Sequence, residues 1–233
     1  MLIPQHIKDS VHKNLTWHFA PPRVQCVCEL LHLGTRYGGY HVDPRRITSN
    51  SIIYSIGVGQ DISFDLCMIT RCGSTVHAFD PTPRVKDWLD TQSLPAQFKF
   101  HPVGIADFDG NARFYLPPKS EYISHSIVHA KQYSPETISV PVIRLATAMR
   151  ELGHKRIDVL KMDVEGAEYS ILPDIVHADI RVGQLLIEFH HRLSSIGRAK
   201  TREAIDLLNQ RGMRTSYICS RGEVFTFTDS LET

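Results

Sequence analysis

Short apolar runs separated by amphipathic stretches dominate the chain from residue 51 onward. The runs are rich in β-branched residues, as is typical of strands that helices cover on both faces. Their alternation with helices predicts a doubly wound α/β fold with a mostly parallel sheet. The predicted strands are Ser51–Ile56, Thr75–Phe79, Gln97–Val103, Ser139–Arg144, Ile157–Met162, Gln184–Phe189, Thr215–Cys219 and Val224–Phe227.

The regions around these strands set the domain organisation. The last two predicted strands are joined by residues 220–223 alone, too short for a crossover helix, so they are expected to form an antiparallel hairpin. Residues 1–50 show no clear period and are predicted to be an N-terminal cap or lid, leaving residues 51–233 as the core domain. Residues 109–138 predict a hairpin followed by a long irregular insertion, and long loops at the carboxyl edge of a sheet commonly carry function.

Composition narrows the class of protein. The chain has 233 residues, 42% of them hydrophobic, and its formal net charge of +1 gives no long-range field for a nucleic acid or an anionic membrane surface. No apolar stretch approaches the length of a membrane span, and the first residues lack the apolar core of a signal peptide, so a cytoplasmic location is expected. The five cysteines lack the spacing of a zinc site and are predicted to be reduced thiols.

A glycine turn follows the first core strand. Gly57, Val58, Gly59 and Asp61 lead from that strand into a helix predicted over Ile62–Cys72. The glycines allow a ligand close to the backbone, and the free N–H groups of the helix start favour a carboxylate or phosphate. A nicotinamide fingerprint requires a third glycine at position 62, where isoleucine stands. A tight turn without any ligand is the alternative.

Two further strand ends carry candidate cofactor contacts. Asp80, followed by Pro81, lies about 20 residues after the glycines, where an acid accepts hydrogen bonds from both hydroxyls of a ribose. The alternative for Asp80 is an N-cap of the next helix. After the third strand, Ile105 is expected to pack on an adenine ring and Asp107 to accept from its amino group, with a plain turn residue as the alternative for Asp107.

The most specific stretch places three acids around Gly166, where an apolar strand meets a helix: Asp163, Glu165 and Glu168. With Lys161 this gives K-x-D-x-E-G-x-E, and together with the glycine turn it resembles the FkbM family of S-adenosylmethionine-dependent methyltransferases. The likeness extends from Tyr37 to Phe227.

The resemblance implies a seven-stranded Rossmann-like methyltransferase sheet, S-adenosyl-L-methionine as cofactor, and O-methylation of a hydroxyl on a small metabolite or saccharide. An antiparallel hairpin strand at the sheet end agrees with this class better than with dinucleotide dehydrogenases. Many methyltransferases place an acid two residues before the first glycine, but this chain has Ser55 there. Asp61 is therefore the candidate for the cofactor's ammonium group.

Methyl transfer from a sulfonium requires alignment of the acceptor oxygen and removal of its proton. The catalytic candidates are Asp163, Glu165 and His190, which follow neighbouring core strands. Asp163 is favoured by position, and His190 by the near-neutral pKa of an unperturbed imidazole. Structural roles are the alternatives for Glu165 and His190. A divalent cation held by Asp163, Glu188 and His190 is a further alternative, although the main prediction contains no metal.

Two other functions compete with the methyltransferase hypothesis: a non-catalytic nucleoside-binding module and a nicotinamide-dependent oxidoreductase. A binding module has no need of the acids and histidines that follow the core strands. An oxidoreductase of this type would need the third glycine that this chain lacks. The sequence leaves the acceptor and the oligomeric state open.

Overall fold

The computed structural model describes residues 21–118 and 125–230. Residues 1–20 of the predicted cap, residues 119–124 of the predicted insertion and residues 231–233 of the predicted core domain lie outside this range. The described strands are β1 (Leu31–Leu33), β2 (Tyr40–Val42), β3 (Ile52–Ile56), β4 (Thr75–Phe79), β5 (Phe98–His101), β6 (Gly104–Ala106), β7 (Gly110–Tyr115), β8 (Thr137–Arg144), β9 (Ile157–Met162), β10 (Val182–Glu188), β11 (Met213–Ile218) and β12 (Val224–Asp229). The described helices are α1 (Ser63–Cys72), α2 (Pro83–Leu89), α3 (Leu145–Leu152), α4 (Glu168–His177) and α5 (Arg198–Gln210), with a 3₁₀ turn at Pro44–Arg46.

Seven strands form the central sheet in the order β11-β12-β10-β9-β3-β4-β5. The pairs from β10 through β5 are parallel, whereas β12 runs antiparallel to both β10 and β11. This confirms the predicted doubly wound α/β fold with a terminal antiparallel strand. The order reverses between β3 and β9, and ligands of open α/β sheets bind at the carboxyl ends of the strands that flank such a reversal.

Successive residues of the central strands face opposite layers. Ile53 belongs to the apolar cluster under α1 and α2, while Tyr54 belongs to the cluster under α3, α4 and α5. Val159 and Leu160 repeat the alternation on β9. Because helices bury both faces of the sheet, the central strands have the continuous apolar sequences from which the α/β fold was predicted.

Two predicted strands differ from the structure. The strand predicted over Gln97–Val103 ends at His101, and the chain then starts β6 in another sheet. The strand predicted over Ser139–Arg144 becomes β8, which lies outside the central sheet between β6 and β7. Val140 and Val142 of β8 are buried and Pro141 between them is exposed, the alternating pattern of a strand that is covered on one face only.

The described part of the N-terminal segment packs on the core. The β1–β2 hairpin buries Tyr40 and Val42 in the cluster under α1 and α2. Farther upstream, the backbone N–H of Gln25 donates to the carbonyl of Thr215 at 2.7 Å, beside the edge strand β11. All five cysteines are free thiols. Within residues 21–118 and 125–230, no helix has the length and apolarity to cross a bilayer.

Candidate active site

A cavity of about 770 Å³ opens at the carboxyl ends of the central strands, where the strand order reverses. Its volume is within the range of small-molecule sites. Most of the candidate site residues line it: Gly57, Val58, Gly59, Asp61, Asp80, Pro81, Ile105, Asp163 and Glu165. The loops after β3, β4, β9 and β10 thus bring residues more than 100 positions apart to one site.

The glycine turn is held against the loop after β9. Gly57 has φ +73°, and a Cβ atom there would lie 1.7 Å from the carbonyl oxygen of Asp163. The backbone N–H of Asp163 donates to the carbonyl of Ile56 at 3.0 Å, and the buried Lys161 donates to the carbonyl of Gly57 at 2.9 Å. Only glycine satisfies both the conformation and the close approach at position 57.

Asp80 joins the glycine turn to the loop after β4. Its Oδ2 accepts from the backbone N–H of Gly59 at 3.1 Å, and its Oδ1 accepts from that of Thr82 at 2.9 Å. A carboxylate accepts about four hydrogen bonds, so this buried group retains acceptor capacity on the cavity wall. The N-cap position of helix α2 is Thr82, which makes no side-chain capping hydrogen bond, so Asp80 is not the N-cap residue of this helix.

The two residues predicted to contact adenine separate in the structure. Ile105 is buried and lines the cavity beside Pro81. Asp107 lies on an exposed turn after β6, outside the cavity wall. Its predicted contact with adenine therefore gains no support, because an apolar wall without that carboxylate faces the cavity here.

Asp61 lines the cavity, but its carboxylate is already engaged. Oδ2 accepts from the hydroxyl of Thr35 at 2.6 Å, and Oδ1 accepts from the backbone N–H of Ser63 at 2.9 Å. Burial would raise the pKa of Asp61, but these hydrogen bonds and the charge of Lys161 lower it. Asp61 therefore remains an anion that ties the β1–β2 hairpin to the start of α1.

The acidic motif wraps around His190. Glu165 has the left-handed φ of +48° and is followed by Gly166 at +103°. A positive φ on a non-glycine residue is uncommon, and such residues cluster at functional sites. The turn directs Glu165 Oε2 to 3.3 Å from His190 Nε2, while Asp163 Oδ1 lies 3.5 Å from the same atom.

Glu168 holds both Gly166 and His190 through hydrogen bonds. Its side chain is fully buried; Oε1 accepts from the backbone N–H of His190 at 2.6 Å and lies 3.2 Å from Nδ1 of the same residue. Oε2 accepts from the backbone N–H of Gly166 at 2.9 Å. Sequence reasoning gave Glu168 no site role, although a third acid at this spacing after Gly166 is the signal that marks it.

The surroundings of His190 differ from those of the unperturbed imidazole on which its prediction as a base depended. Burial would lower the pKa of His190, but the hydrogen bond and charge of Glu168, with the charges of Glu165 and Asp163, raise it to about 10. The imidazole is also fully buried and is absent from the cavity wall. The structure therefore places a proton-bearing imidazole behind the two acids, and this favours Asp163 over His190 as the candidate base.

Asp163 differs from His190 in both its protonation and its access to the cavity. Burial and the charges of Glu188 and Glu165 raise the pKa of Asp163 to about 6, against the opposing charges of His190 and Lys161. Its side chain remains 32% exposed and lines the cavity. A carboxylate with this pKa is ionised at neutral pH and still basic enough to share a proton.

The predicted insertion supplies contacts that the sequence did not indicate. The hydroxyl of Ser126 donates to the carbonyl of Glu165 at 2.5 Å, and the hydroxyl of Tyr133 donates to Glu165 Oε2 at 2.9 Å. Tyr40, from the N-terminal hairpin, also lines the cavity and lies under Lys161, whose Nζ is 5.5 Å from the ring centroid. These segments close two sides of the site.

Fold and site together define a class of protein: a doubly wound α/β fold whose cavity, at the reversal of strand order, is lined by a glycine turn and Asp80 on one side and by acids on the other. Residues 50–215 match the Methyltransferase FkbM domain family. The chain belongs to this family, as the sequence predicted, and S-adenosylmethionine is the cofactor that the membership supports. This membership also disfavours the nicotinamide alternative.

The individual proteins that resemble this chain share less than a third of the aligned residues with it. The chain is 29% identical over 140 residues to the probable methyltransferase-like protein 24 of Homo sapiens, covering 59% of this chain and 32% of that protein. The probable methyltransferase-like protein 24 of Rattus norvegicus is 29% identical over 163 residues, with 69% and 38% covered. The chain thus spans about a third of the length of these curated relatives. A methyltransferase FkbM structure from Methylobacillus flagellatus KT aligns with a TM-score of 0.49 at 12% identity, covering 78% of this chain and 44% of that one.

Proposed function

We propose that this chain is an S-adenosylmethionine-dependent O-methyltransferase that acts on a hydroxyl group of a small metabolite or saccharide. One observation carries the proposal. A nucleoside-type wall, made of the glycine turn, Asp80 and Ile105, shares a single cavity with the carboxylates of Asp163 and Glu165.

The residues present fit the cofactor. The carboxylate of Asp80 has acceptor capacity left for ribose hydroxyls, the glycine turn allows close approach of a ligand, and Ile105 with Pro81 offers an apolar surface for a base. Asp61 contributes negative charge near the glycine turn, which suits an ammonium group. When bound, S-adenosylmethionine supplies an electrophilic methyl group on a sulfonium.

The acidic side of the cavity then serves the acceptor. Asp163 is the group that accepts the hydroxyl proton, since it is ionised at neutral pH and lines the cavity. Glu165 orients the acceptor, and its own carboxylate is fixed by Tyr133. His190 acts as a positioning residue behind both acids. The net charge of +1 agrees with an acceptor that is not a polyanion.

Calorimetric titration with S-adenosylhomocysteine tests the cofactor half of the proposal. Asp80→Asn is expected to weaken binding about tenfold or more, because hydrogen bonds to a charged acceptor contribute roughly 1.5–3 kcal/mol each. The matched control is Asp107→Asn, which changes an exposed acid outside the cavity and is expected to leave binding unchanged. Equal affinity in wild type and Asp80→Asn would remove Asp80 from the site.

Transfer of a labelled methyl group to a panel of hydroxyl compounds tests the catalytic half. Asp163→Asn is expected to lower turnover by about 10²–10⁴ with nearly unchanged affinity for S-adenosylhomocysteine, because it removes a proton acceptor. Binding of S-adenosylhomocysteine without transfer to any hydroxyl acceptor would favour the non-catalytic nucleoside-binding alternative.

A further inference from the structure

Three potential ligand atoms converge at the acidic end of the cavity. One atom from each of Asp163, Glu165 and His190 lies within 4.8 Å of the others. His190 Nε2 is 3.3 Å from Glu165 Oε2 and 3.5 Å from Asp163 Oδ1. Both acids line the cavity, whereas the imidazole approaches from behind them.

His190 Nε2 is a buried polar atom that points into this cluster and has no hydrogen-bond partner in the described part of the chain. The His190 side chain is 1% exposed. The two carboxylates lie within ion-pair distance of this nitrogen, but neither forms a hydrogen bond with it. A buried polar atom left in this state is costly, so its direction toward two carboxylates indicates a shared partner between them.

The other ring nitrogen of His190 is held in the way that metal ligation requires. Glu168 Oε1 lies 3.2 Å from Nδ1, so the buried carboxylate favours a proton on Nδ1 and directs Nε2 toward the acids. Histidines that bind metals usually donate their second N–H to a carboxylate or carbonyl in this manner. Glu168 is therefore a positioning residue for Nε2.

We propose that Asp163, Glu165 and His190 bind one divalent cation of the Mn²⁺ type. Ligands bound at about 2.1 Å with angles between octahedral and tetrahedral lie about 3.0–3.4 Å apart, close to the observed separations from His190 Nε2. Carboxylates suit Mg²⁺ and Mn²⁺, while imidazole suits transition metals, so Mn²⁺ satisfies the mixed set. The sequence alternative contained Glu188 in place of Glu165, but Glu188 pairs with Arg192 at 2.9 Å.

The role of this cation rests on the proposed function. Three protein ligands on one side leave coordination positions toward the cavity, where an acceptor hydroxyl and a neighbouring oxygen are able to bind together. Coordination lowers the pKa of the hydroxyl. The acceptor oxygen would then form a bond to the methyl carbon as the carbon–sulfur bond breaks, and the electron pair of that broken bond would stay on sulfur. The hydroxyl proton would pass to the carboxylate oxygen of Asp163 that does not bind the cation, in keeping with the role proposed for Asp163 above. The substrate class is thus an acceptor with two adjacent oxygens, as in a saccharide diol.

Mn²⁺ titration of the chelator-treated full chain, followed by electron paramagnetic resonance, tests the site. One Mn²⁺ per chain is expected, with spin-echo modulation from an imidazole nitrogen. Asp163→Asn and Glu165→Gln should each weaken Mn²⁺ binding at least about tenfold while circular dichroism shows an intact fold. Glu188→Gln is the matched control, because it changes a neighbouring cavity acid outside the cluster, and it should retain the wild-type affinity.

The proposal is overturned if the folded wild type binds no Mn²⁺ at millimolar concentration, if both variants bind like wild type, or if bound Mn²⁺ shows no nitrogen coupling. Titration with S-adenosylhomocysteine on the same preparation separates this outcome from failure of the proposed function. Mn²⁺ binding without S-adenosylhomocysteine binding would leave the cation site standing and reject the methyltransferase role, and the reverse result would reject the cation site alone.

Discussion

Replacing Glu168 with glutamine tests whether the buried acid organises the site. The carboxylate accepts from the backbone N–H groups of His190 and Gly166 and faces His190 Nδ1. In Glu168→Gln, one oxygen becomes an amide NH₂ that faces a donor, and the charge that stabilises the imidazolium disappears. Removing one partner of a buried charge pair costs about 3–5 kcal/mol, a large part of the roughly 5–15 kcal/mol that stabilises a typical domain.

The loss should depend on pH with a definite sign. The pKa of His190 is raised to about 10 in the folded chain from an ordinary value of 6.5. Its stabilisation is therefore fully present below about pH 6.5 and is lost as the pH rises toward 10. The difference between wild type and Glu168→Gln should thus be largest at pH 6.5 and should shrink as the pH rises toward 10.

Urea unfolding followed by circular dichroism at pH 6.5, 8 and 9.5 measures both effects. Glu203→Gln, an exposed acid on α5, is the matched control and should change the free energy of unfolding by less than about 0.5 kcal/mol. A loss below about 1 kcal/mol for Glu168→Gln at neutral pH, or a loss independent of pH, would refute the inferred coupling between Glu168 and His190.

Three other predictions follow from contacts described above. Gly57→Ala should destabilise the chain by more than about 2 kcal/mol in urea unfolding, because its Cβ meets the backbone of Asp163, whereas Gly153→Ala, with a similar φ and open space, should cost only about 1 kcal/mol; equal losses would contradict the clash. Carbon-13 NMR of labelled aspartate should show Asp163 titrating near pH 6, so that methyl transfer falls as the pH drops below that value; a midpoint near 4 would count against its raised pKa. Tyr133→Phe should lower turnover about tenfold by freeing Glu165, with unchanged affinity for S-adenosylhomocysteine, and unaltered turnover would exclude this positioning role.

The sequence predicted what depends on local pattern. That the glycine turn, Asp80 and the acids after β9 line one cavity was predictable, because parallel strands place their carboxyl ends at one edge of the sheet. The position of β8 was not predictable in this way, because an apolar segment can predict a strand without indicating which sheet the strand joins. The raised pKa of His190 was not predictable for a related reason. It depends on carboxylates 22 or more residues away, whose side-chain directions are determined by tertiary packing.

The loop that carries Ser126 and Tyr133 has an evolutionary consequence. It joins β7 to β8 outside the central sheet and contacts the acidic side of the cavity, whereas the donor side is built from the sheet itself. Changes of length in such a loop carry only a small entropic penalty. Under the proposed function, acceptor choice is therefore expected to diversify among relatives through this loop while the residues proposed to hold the cofactor stay the same. Exchange of residues 125–136 is accordingly the most direct test of whether this loop selects the acceptor.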